Sequence, residues 1–491
     1  MHDEYDITLN CEGQQPPAPA GSGREYTKPM INRRTFLTTA AAPLIARAQA
    51  RRFNILFLMS DQHQREASGC YGHPEVKTPG IDRLAARATR FDFTYCNAPV
   101  CVPARGSLIT GLYPHQHGAR ILKDALPATS RTIAHFFAER GYRTGAVGRM
   151  HFVDESRRHG FDHRIHEADF AKTLTAEERE RLRKDQGGGG DVIGRPSALE
   201  TRFFQDDFFA RKSVEFLRAH RDQPFVLWSS YLKPHTPLTP LPQYWNLYQP
   251  DQLRLPHRPA DALTTAFEGH LIRAKERGWY QQSDADCRRA LAGYYGNISQ
   301  MDSCVDRVYA ALEELNLLDR TIVVYTSDHG EMAGAHRMWT KHNMFEQSVA
   351  VPLLVSVPGQ SQSAPPRKEL IEHVDLFPTL AELCGFSAPR GLPGRSFAGL
   401  LENRKHNPRE FAYAEYHFCH SVFTRDNRYV GKPPILMVRT DRWKLNELNW
   451  GRSELYDLAG DPNESRNVID APGNAGIVKE LRGIARRIYE S

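Results

Sequence analysis

Short, almost uninterrupted apolar runs alternate with helix-like segments along this chain. The first run, residues 53–59, is apolar except for Asn54 and leads directly into the polar residues Ser60 and Asp61. A run of this length without polar alternation is typical of a strand buried on both faces. Similar runs recur at 143–147, 225–230, 321–326 and 352–355. The pattern predicts an α/β fold with a doubly wound, mainly parallel sheet, whose ligands gather at the carboxyl ends of the strands.

Two helix-like segments differ in what they can bury. Met301, Val305, Val308 and Leu312 recur at the spacing of one helix face, which indicates packing against a core. The segment 177–184 is highly charged and leads into the glycines 187–190, so it has too little apolar surface for the core. We expect a solvated helix and a mobile loop there, with a lid over the active site as the alternative.

The pattern changes from about residue 390 towards shorter strands and turns. It predicts a smaller C-terminal α+β subdomain with an antiparallel sheet and a closing helix. The expected organisation is an N-terminal extension at 1–50, a large α/β domain at 51–389 and a C-terminal subdomain at 390–491.

Composition excludes several classes of protein. The chain has 491 residues, of which 40% are hydrophobic and 25% charged, as is usual for a soluble globular enzyme. The formal net charge of +6 results from 64 basic and 58 acidic residues spread along the chain, which is too balanced for nucleic-acid binding. We expect no integral membrane segment in the mature chain.

The N-terminal segment has the pattern of an export signal. Arg33 and Arg34 precede an apolar stretch that ends in small residues at Ala50, which is typical of twin-arginine signals. We expect the twin-arginine translocase as a partner, cleavage after Ala50, and a periplasmic or secreted protein. Met30, just before the arginine pair, is the alternative start to Met1.

Two polar pairs directly follow predicted strands. Asp61 and Gln62 come after the first strand, and Asp328 and His329 come after the run at 321–326. Because parallel strands end at the same edge of a sheet, the two pairs could converge on one hard divalent cation. For either pair alone, a turn or a helix cap is the alternative.

A Cys-x-Pro-x-Arg pentad begins at Cys101 and is followed by Thr110 and Gly111. Such a pentad arises by chance in roughly a few per cent of chains this long, so its context decides. The context consists of ordered motifs at 54–57 leading into Asp61, 78–84, 101–118, 148–151, 234–237, 327–330 and 455–457 near Asp461 and Pro462. Together they resemble the formylglycine-dependent sulfatases of the alkaline-phosphatase-like superfamily, with local similarity to choline-sulfate and carbohydrate sulfatases.

The resemblance implies that a maturation enzyme converts Cys101 to formylglycine (3-oxoalanine). One hydroxyl of the hydrated aldehyde would attack sulfur and displace the alcohol, leaving a covalent sulfate that the second hydroxyl expels. The alternative is a small buried thiol in the first turn of a helix.

The resemblance also implies one divalent metal ion, held by Asp61, Gln62, Cys101, Asp328 and His329. Gln62 stands where many sulfatases have a second aspartate, although sulfatase-like phosphonate and choline-sulfate hydrolases share an Asp-Gln start. His329 stands where some members have asparagine, and imidazole is an unusual calcium ligand. Calcium is still the expected ion, with manganese and zinc as alternatives.

Five basic residues are implied in catalysis. Arg105 is expected to hold the formylglycine hydroxyl, and His151 to accept its proton when sulfate leaves. His235 and Lys341 are expected to bind sulfate oxygens, either one being a candidate general acid. Arg149 replaces the usual lysine of its motif and cannot readily donate a proton.

The expected function is hydrolysis of an organic sulfate ester, with a sulfated carbohydrate as the expected substrate. One alternative is a phosphonate monoester or phosphodiester hydrolase with the same fold, because Gln62 and His329 also suit that activity. The other is a non-catalytic binder of sulfated glycans in which Cys101 is never converted.

Overall fold

A computed structural model describes residues 52–187, 192–359, 365–419 and 423–491. The predicted signal at 1–50 and the glycines at 188–190 lie outside the described residues. The strands are β1 Asn54–Asp61, β2 Thr89–Tyr95, β3 Arg143–Gly148, β4 His163–Ile165, β5 Phe225–Pro234, β6 Thr321–Ser327, β7 Leu353–Ser356, β8 Arg367–Glu372, β9 Ala412–Tyr416, β10 Ile435–Arg439, β11 Trp443–Glu447 and β12 Glu454–Asp457. The α-helices are α1 Pro79–Ala85, α2 Cys101–Thr110, α3 Pro114–His117, α4 Ile133–Ala138, α5 Glu167–Lys172, α6 Ala176–Gln186, α7 Gln205–Ala219, α8 Pro242–Trp245, α9 Glu268–Glu276, α10 Asp284–Glu314, α11 Glu346–Val349, α12 Leu376–Leu383, α13 Ala398–Leu401 and α14 Ala475–Tyr489.

Across those described residues, every helix is too short or too polar to span a lipid bilayer.

The large sheet contains eight strands in the order β4-β3-β5-β1-β6-β7-β2-β8. β1 runs parallel to both β5 and β6, and β3 runs parallel to β5 and β4. β7 is antiparallel to its neighbours β6 and β2, whereas β2 and β8 are parallel. The predicted mainly parallel sheet is therefore confirmed, with one strand reversed.

Helices cover both faces of this sheet. Phe57 of β1 lies in a buried apolar cluster with Phe377 of α12. Leu58, the next residue, lies in a second cluster with Met301 of α10. Successive residues of β1 thus face opposite cores, which explains why its sequence has no polar alternation. The helical stripe that begins at Met301 packs in the core as predicted, because Val305, Val308 and Leu312 belong to the same cluster.

The charged segment before the glycines forms α6, in which no residue is buried. This confirms the predicted solvated helix. The alternative of a lid over the active site stays a prediction, because the residues that follow α6 lie partly outside the described residues.

The second sheet contains four antiparallel strands in the order β12-β11-β10-β9. α14 packs on it, since Leu481 and Ala485 share a buried cluster with Val438 and Leu445. The predicted C-terminal antiparallel sheet and its closing helix are confirmed.

β3 ends at Gly148, where the backbone passes close to β5. Gly148 has a φ of 106°, and a Cβ atom there would lie 1.8 Å from the carbonyl oxygen of Ser230. The backbone N–H of Arg149 donates to the same carbonyl at 3.1 Å. Only glycine allows this approach, which places Arg149 where its side chain reaches Asp61.

Replacing Gly148 by alanine is expected to lower the free energy of unfolding by at least about 3 kcal/mol, because the new methyl group collides with backbone. Gly141→Ala is the matched control, since Gly141 also has a positive φ, 81°, but its Cβ would meet no atom within 4 Å. The control carries only the left-handed penalty of about 1–2 kcal/mol. Urea unfolding followed by circular dichroism measures both, and equal losses would contradict the steric explanation.

Candidate active site

Four potential metal ligands meet at the carboxyl ends of β1 and β6. Asp61 is the last residue of β1, Asp328 directly follows β6, and Cys101 begins α2. Ligand atoms of Asp61, Cys101, Asp328 and His329 all lie within 4.8 Å of one another, and all four residues are buried. The Cys101 Sγ lies 3.7 Å from Asp61 Oδ1 and 3.1 Å from His329 Nε2. The two strand ends thus converge as the parallel sheet predicts.

The chemistry of these donors suits a divalent cation. The Nδ1 atom of His329 lies 3.0 Å from the carbonyl oxygen of Gly330. Because a carbonyl only accepts, Nδ1 carries the proton, and the Nε2 lone pair is directed to the group. Nε2 is 3.8 Å from Asp61 Oδ1 and 3.7 Å from Asp328 Oδ1. Burial and then Lys341 lower the pKa of His329, which keeps the imidazole neutral. Two carboxylate oxygens and one imidazole nitrogen can therefore bind one ion.

Arg105 joins the two carboxylates. Its Nε donates to Asp328 Oδ2 at 2.8 Å, and its Nη2 donates to Asp61 Oδ2 at 3.0 Å. The side chain is 1% exposed, so the ion pairs are shielded from water. Arg105 binds the Oδ2 atoms and leaves the Oδ1 atoms on the side of His329. Its remaining nitrogen, Nη1, donates to Ser230 Oγ at 3.0 Å and to the carbonyl of Arg149. The expected contact of Arg105 with a formylglycine hydroxyl stays a prediction.

Asp61 is ionised despite its burial. Burial disfavours the charged form, but the guanidinium charges of Arg105 and Arg149 outweigh it and hold the pKa of Asp61 well below its ordinary value. Arg149 contributes a direct hydrogen bond from Nε to Asp61 Oδ2 at 2.9 Å. The Arg149 guanidinium thus contacts the group of metal ligands directly and keeps its positive charge there.

The pKa of Cys101 is shifted in the opposite direction to that of Asp61. Burial, followed by the nearby Asp61 carboxylate, raises the pKa of the Cys101 thiol to about 12. The unmodified thiol is therefore protonated at neutral pH and is a weak nucleophile.

A lysine and a histidine lie next to these ligands. Lys341 Nζ donates to Gln62 Oε1 at 2.7 Å and lies 2.8 Å from His235 Nε2. The other ring nitrogen of His235 lies 2.8 Å from the carbonyl of Thr236, so it carries the proton and Nε2 accepts from Lys341. Burial and then Lys341 hold the pKa of His235 well below its ordinary value. Lys341 is therefore the proton carrier of the pair.

His151 lies beside Arg149. Arg149 Nη2 is 3.2 Å from His151 Nδ1, and burial followed by Arg149 holds the pKa of His151 well below its ordinary value. A neutral imidazole of this kind can accept a proton.

The backbone at the site has unusual conformations. Gln62, His151, Thr340 and His342 have positive φ values of 70°, 54°, 65° and 78°. Such conformations cost about 1–3 kcal/mol each in non-glycine residues and persist where the surrounding structure requires them. Here they occur next to the ligands and the basic residues.

The structure brings all the candidate catalytic and metal-binding residues of the sequence analysis into one connected group. Its members are Asp61, Gln62, Cys101, Arg105, Arg149, His151, His235, Asp328, His329 and Lys341. The sequence reasoning missed Glu331, which is 2% exposed and accepts a hydrogen bond from Gln62 Nε2. An acid three residues after Asp328 in an otherwise apolar stretch was the available signal.

Residues 53–386 match the family model described as sulfatase, and residues 334–489 match one described as N-sulphoglucosamine sulphohydrolase, C-terminal. The chain is 28% identical to an arylsulfatase of Clostridium perfringens, over 88% of this chain and 93% of the relative. It is 30% identical to a choline-sulfatase of Rhizobium meliloti, over 85% and 83%. It is 25% identical to an N-acetylglucosamine-6-O-sulfatase of Bacteroides thetaiotaomicron, over 91% and 88%.

Solved structures share the fold. A phosphonate monoester hydrolase of Agrobacterium radiobacter matches with a TM-score of 0.79 at 24% identity, over 89% of this chain and 95% of that one. A protein in complex with its substrate D-glucosamine-2-N,6-O-disulfate matches with a TM-score of 0.72 at 22% identity, over 89% and 98%. The expected alkaline-phosphatase-like architecture is thus confirmed.

Replacing Arg105 by alanine is expected to lower the free energy of unfolding by about 3–5 kcal/mol, because two buried carboxylates lose their shared counter-charge. Arg131→Ala is the control, since Arg131 pairs with Glu139 on the surface and its side chain is 64% exposed. The control should change stability little. Urea unfolding measures both variants, and a similarly small effect of Arg105→Ala would refute the bridging role.

Proposed function

The chain belongs to the sulfatase family and is a sulfuric ester hydrolase, and we propose that it hydrolyses a sulfated carbohydrate to alcohol and inorganic sulfate. The position of Cys101 carries this proposal. Its Sγ lies between Asp61 Oδ1 and His329 Nε2 at 3.7 Å and 3.1 Å, so a side chain here touches the group of metal ligands directly. Such a placement suits a nucleophile activated by a cation.

We propose that a maturation enzyme converts Cys101 to formylglycine. The hydrated aldehyde would supply one hydroxyl for attack on sulfur and a second hydroxyl whose deprotonation releases sulfate. Cys101 is the first residue of α2 and is 1% exposed. Conversion of so buried a residue requires that the maturation enzyme act before this part of the chain folds.

The proposed cation is calcium, held by Asp61, Gln62, Asp328 and His329 together with the modified residue 101. Manganese and zinc are the alternatives, because the set includes an imidazole nitrogen. The bound ion would act as a Lewis acid and orient the nucleophile. Arg105 would hold both carboxylates in the orientation that the ion needs, because it donates hydrogen bonds to their Oδ2 atoms.

The basic residues of the site would bind the anion and transfer protons. Lys341 and His235 would bind sulfate oxygens and offset the negative charge on the leaving alkoxide. Lys341 carries the proton between them and is the better general acid, since His235 Nε2 accepts from it. His151 would take up the proton that the second hydroxyl loses. Arg149 keeps its charge throughout and stabilises anions without donating a proton.

A carbohydrate substrate is supported by relatives. The N-acetylglucosamine-6-O-sulfatase and the structure with a disulfated glucosamine both act on sulfated sugars by their names. A second candidate, phosphonate monoester or phosphodiester hydrolysis, is favoured by Gln62 and His329 and by the likeness to a phosphonate monoester hydrolase. A non-catalytic glycan binder is less well supported, because it would need neither His151 nor Lys341 beside a nucleophile.

We also propose export by the twin-arginine route to the periplasm or beyond, on the basis of Arg33, Arg34 and Ala50. The proposed domain boundaries are 51–389 for the catalytic domain and 390–491 for the C-terminal subdomain. The change from a mainly parallel to an antiparallel sheet supports this division.

Replacing Cys101 by alanine is expected to lower kcat by roughly 10³-fold or more while the fold remains intact, because the nucleophile is lost. Cys304→Ala, which removes another buried thiol from the core, is the control and should keep its activity. Mass analysis of the peptide carrying Cys101, from protein made with a maturation enzyme, should show oxygen in place of sulfur together with the loss of two hydrogen atoms, as conversion of the thiol to an aldehyde requires. Full activity of Cys101→Ala would exclude the mechanism, and an unmodified thiol in the native host would favour the binder.

Initial rates on an aryl sulfate and on the matching aryl phosphonate monoester distinguish the two esters. We expect kcat/KM to be at least about tenfold higher for the sulfate, equivalent to about 1.4 kcal/mol in the transition state. A large preference for the phosphonate would support the second candidate instead.

A further inference from the structure

The side-chain amide of Gln62 lies between two oppositely charged groups. Lys341 Nζ donates to Gln62 Oε1 at 2.7 Å, and Gln62 Nε2 donates to Glu331 Oε2. All three side chains are buried, with exposures of 1% for Gln62, 2% for Glu331 and 4% for Lys341. Water therefore cannot replace either partner freely.

Only one orientation of this amide satisfies both neighbours. The amide oxygen can only accept and the nitrogen can only donate, while an ammonium group only donates and a carboxylate only accepts. Rotating the amide by half a turn would place Nε2 against Lys341 and Oε1 against Glu331. Each buried group left without its partner would then carry a desolvation penalty, which is larger for charged groups.

Glu331 is itself held in place. Its Oε1 accepts hydrogen bonds from the backbone N–H groups of Ala333, at 3.0 Å, and of Thr340. The backbone N–H of Glu331 donates to the carbonyl of Gln347 at 2.8 Å. Every polar neighbour of the Glu331 carboxyl named here is a donor, which is the pattern of an ionised carboxylate. The acid thus presents a fixed acceptor to Gln62.

This arrangement explains why the position next to Asp61 suits glutamine. A carboxylate at position 62 would face the Glu331 carboxylate inside the protein, where like charges repel strongly. The backbone N–H of Gln62 also donates to Asp328 Oδ1 at 3.0 Å, so the residue lies beside the ligand group.

We propose that Glu331 is a positioning residue, which fixes the Gln62 amide so that its oxygen, not its nitrogen, is available to Lys341 and to a cation beside Asp328. The part that concerns the cation rests on the proposed function, since it takes Gln62 as a ligand. The part that concerns the amide orientation stands on the hydrogen bonds of the chain alone.

A swap of the two side chains provides the test. In the single variant Gln62→Glu, two carboxylates would face each other. In the single variant Glu331→Gln, either two amide nitrogens would face each other or the Gln62 amide would turn its nitrogen towards Lys341. The double variant Gln62→Glu/Glu331→Gln reverses donor and acceptor. It keeps an oxygen for Lys341 and an oxygen for the N–H groups of Ala333 and Thr340.

Calcium affinity of the full chain is the first measurement, by competition with a chromophoric chelator. We expect Glu331→Gln to raise Kd about 10–100-fold, as is usual for groups that orient a metal ligand. The double variant should return Kd to the wild-type value or below it. Gln64→Glu, which adds a charge two residues further along, controls for charge alone and should leave Kd within about threefold of the wild-type value. An unchanged Kd in Glu331→Gln, or no recovery in the double variant, would overturn the proposal.

Urea unfolding of the same variants in excess chelator is the second measurement. The double variant should be more stable than either single variant, because residues that act as a hydrogen-bonded pair show coupled rather than additive losses. Additive losses would overturn the positioning role. Wild-type protein that binds no calcium would contradict the proposed metal site, while the unfolding cycle would still decide on Glu331.

Discussion

The hydrogen bonds from Arg105 to Asp61 and Asp328 hold the site together. Parallel strands bring the two carboxylates to the same edge of the sheet, where they would repel each other without a shared cation. Arg105 lies four residues after Cys101 on α2, so both side chains lie on one face of that helix. The bond that neutralises the carboxylates therefore also places Cys101 against them. Loss of this one guanidinium would leave both buried carboxylates without their shared counter-charge.

Neighbouring ionisable groups of the site differ in their charge. Asp61 stays ionised because the surrounding positive charge outweighs its burial, whereas burial keeps His151 and His235 neutral. Lys341 donates to both His235 and Gln62, so it carries the proton on its side of the site. The site thus combines a place for anions, a neutral base and a proton donor within one buried network, as cleavage of an anionic ester requires.

The sequence predicted the strands of the large sheet that are buried on both of its faces. β1, β3, β5, β6 and β7 appear as apolar runs, but β2 does not, because Arg90 and Asp92 interrupt it and are half-buried in the structure. β8 begins with charged residues and buries only its last three. The convergence of Asp61 and Asp328 followed from their positions after parallel strands. The contact between Gln62 and Glu331 joins residues 269 positions apart, so no local pattern could indicate it.

A crystal structure of the mature protein grown with calcium, with anomalous data for the ion, tests the central claim most directly. The account predicts one ion at about 2.3–2.6 Å from carboxylate oxygens of both Asp61 and Asp328. It also predicts two oxygens, and no sulfur, on Cβ of residue 101. A sulfur atom at residue 101 in protein from the native host, or an ion that does not contact both carboxylates, would contradict it.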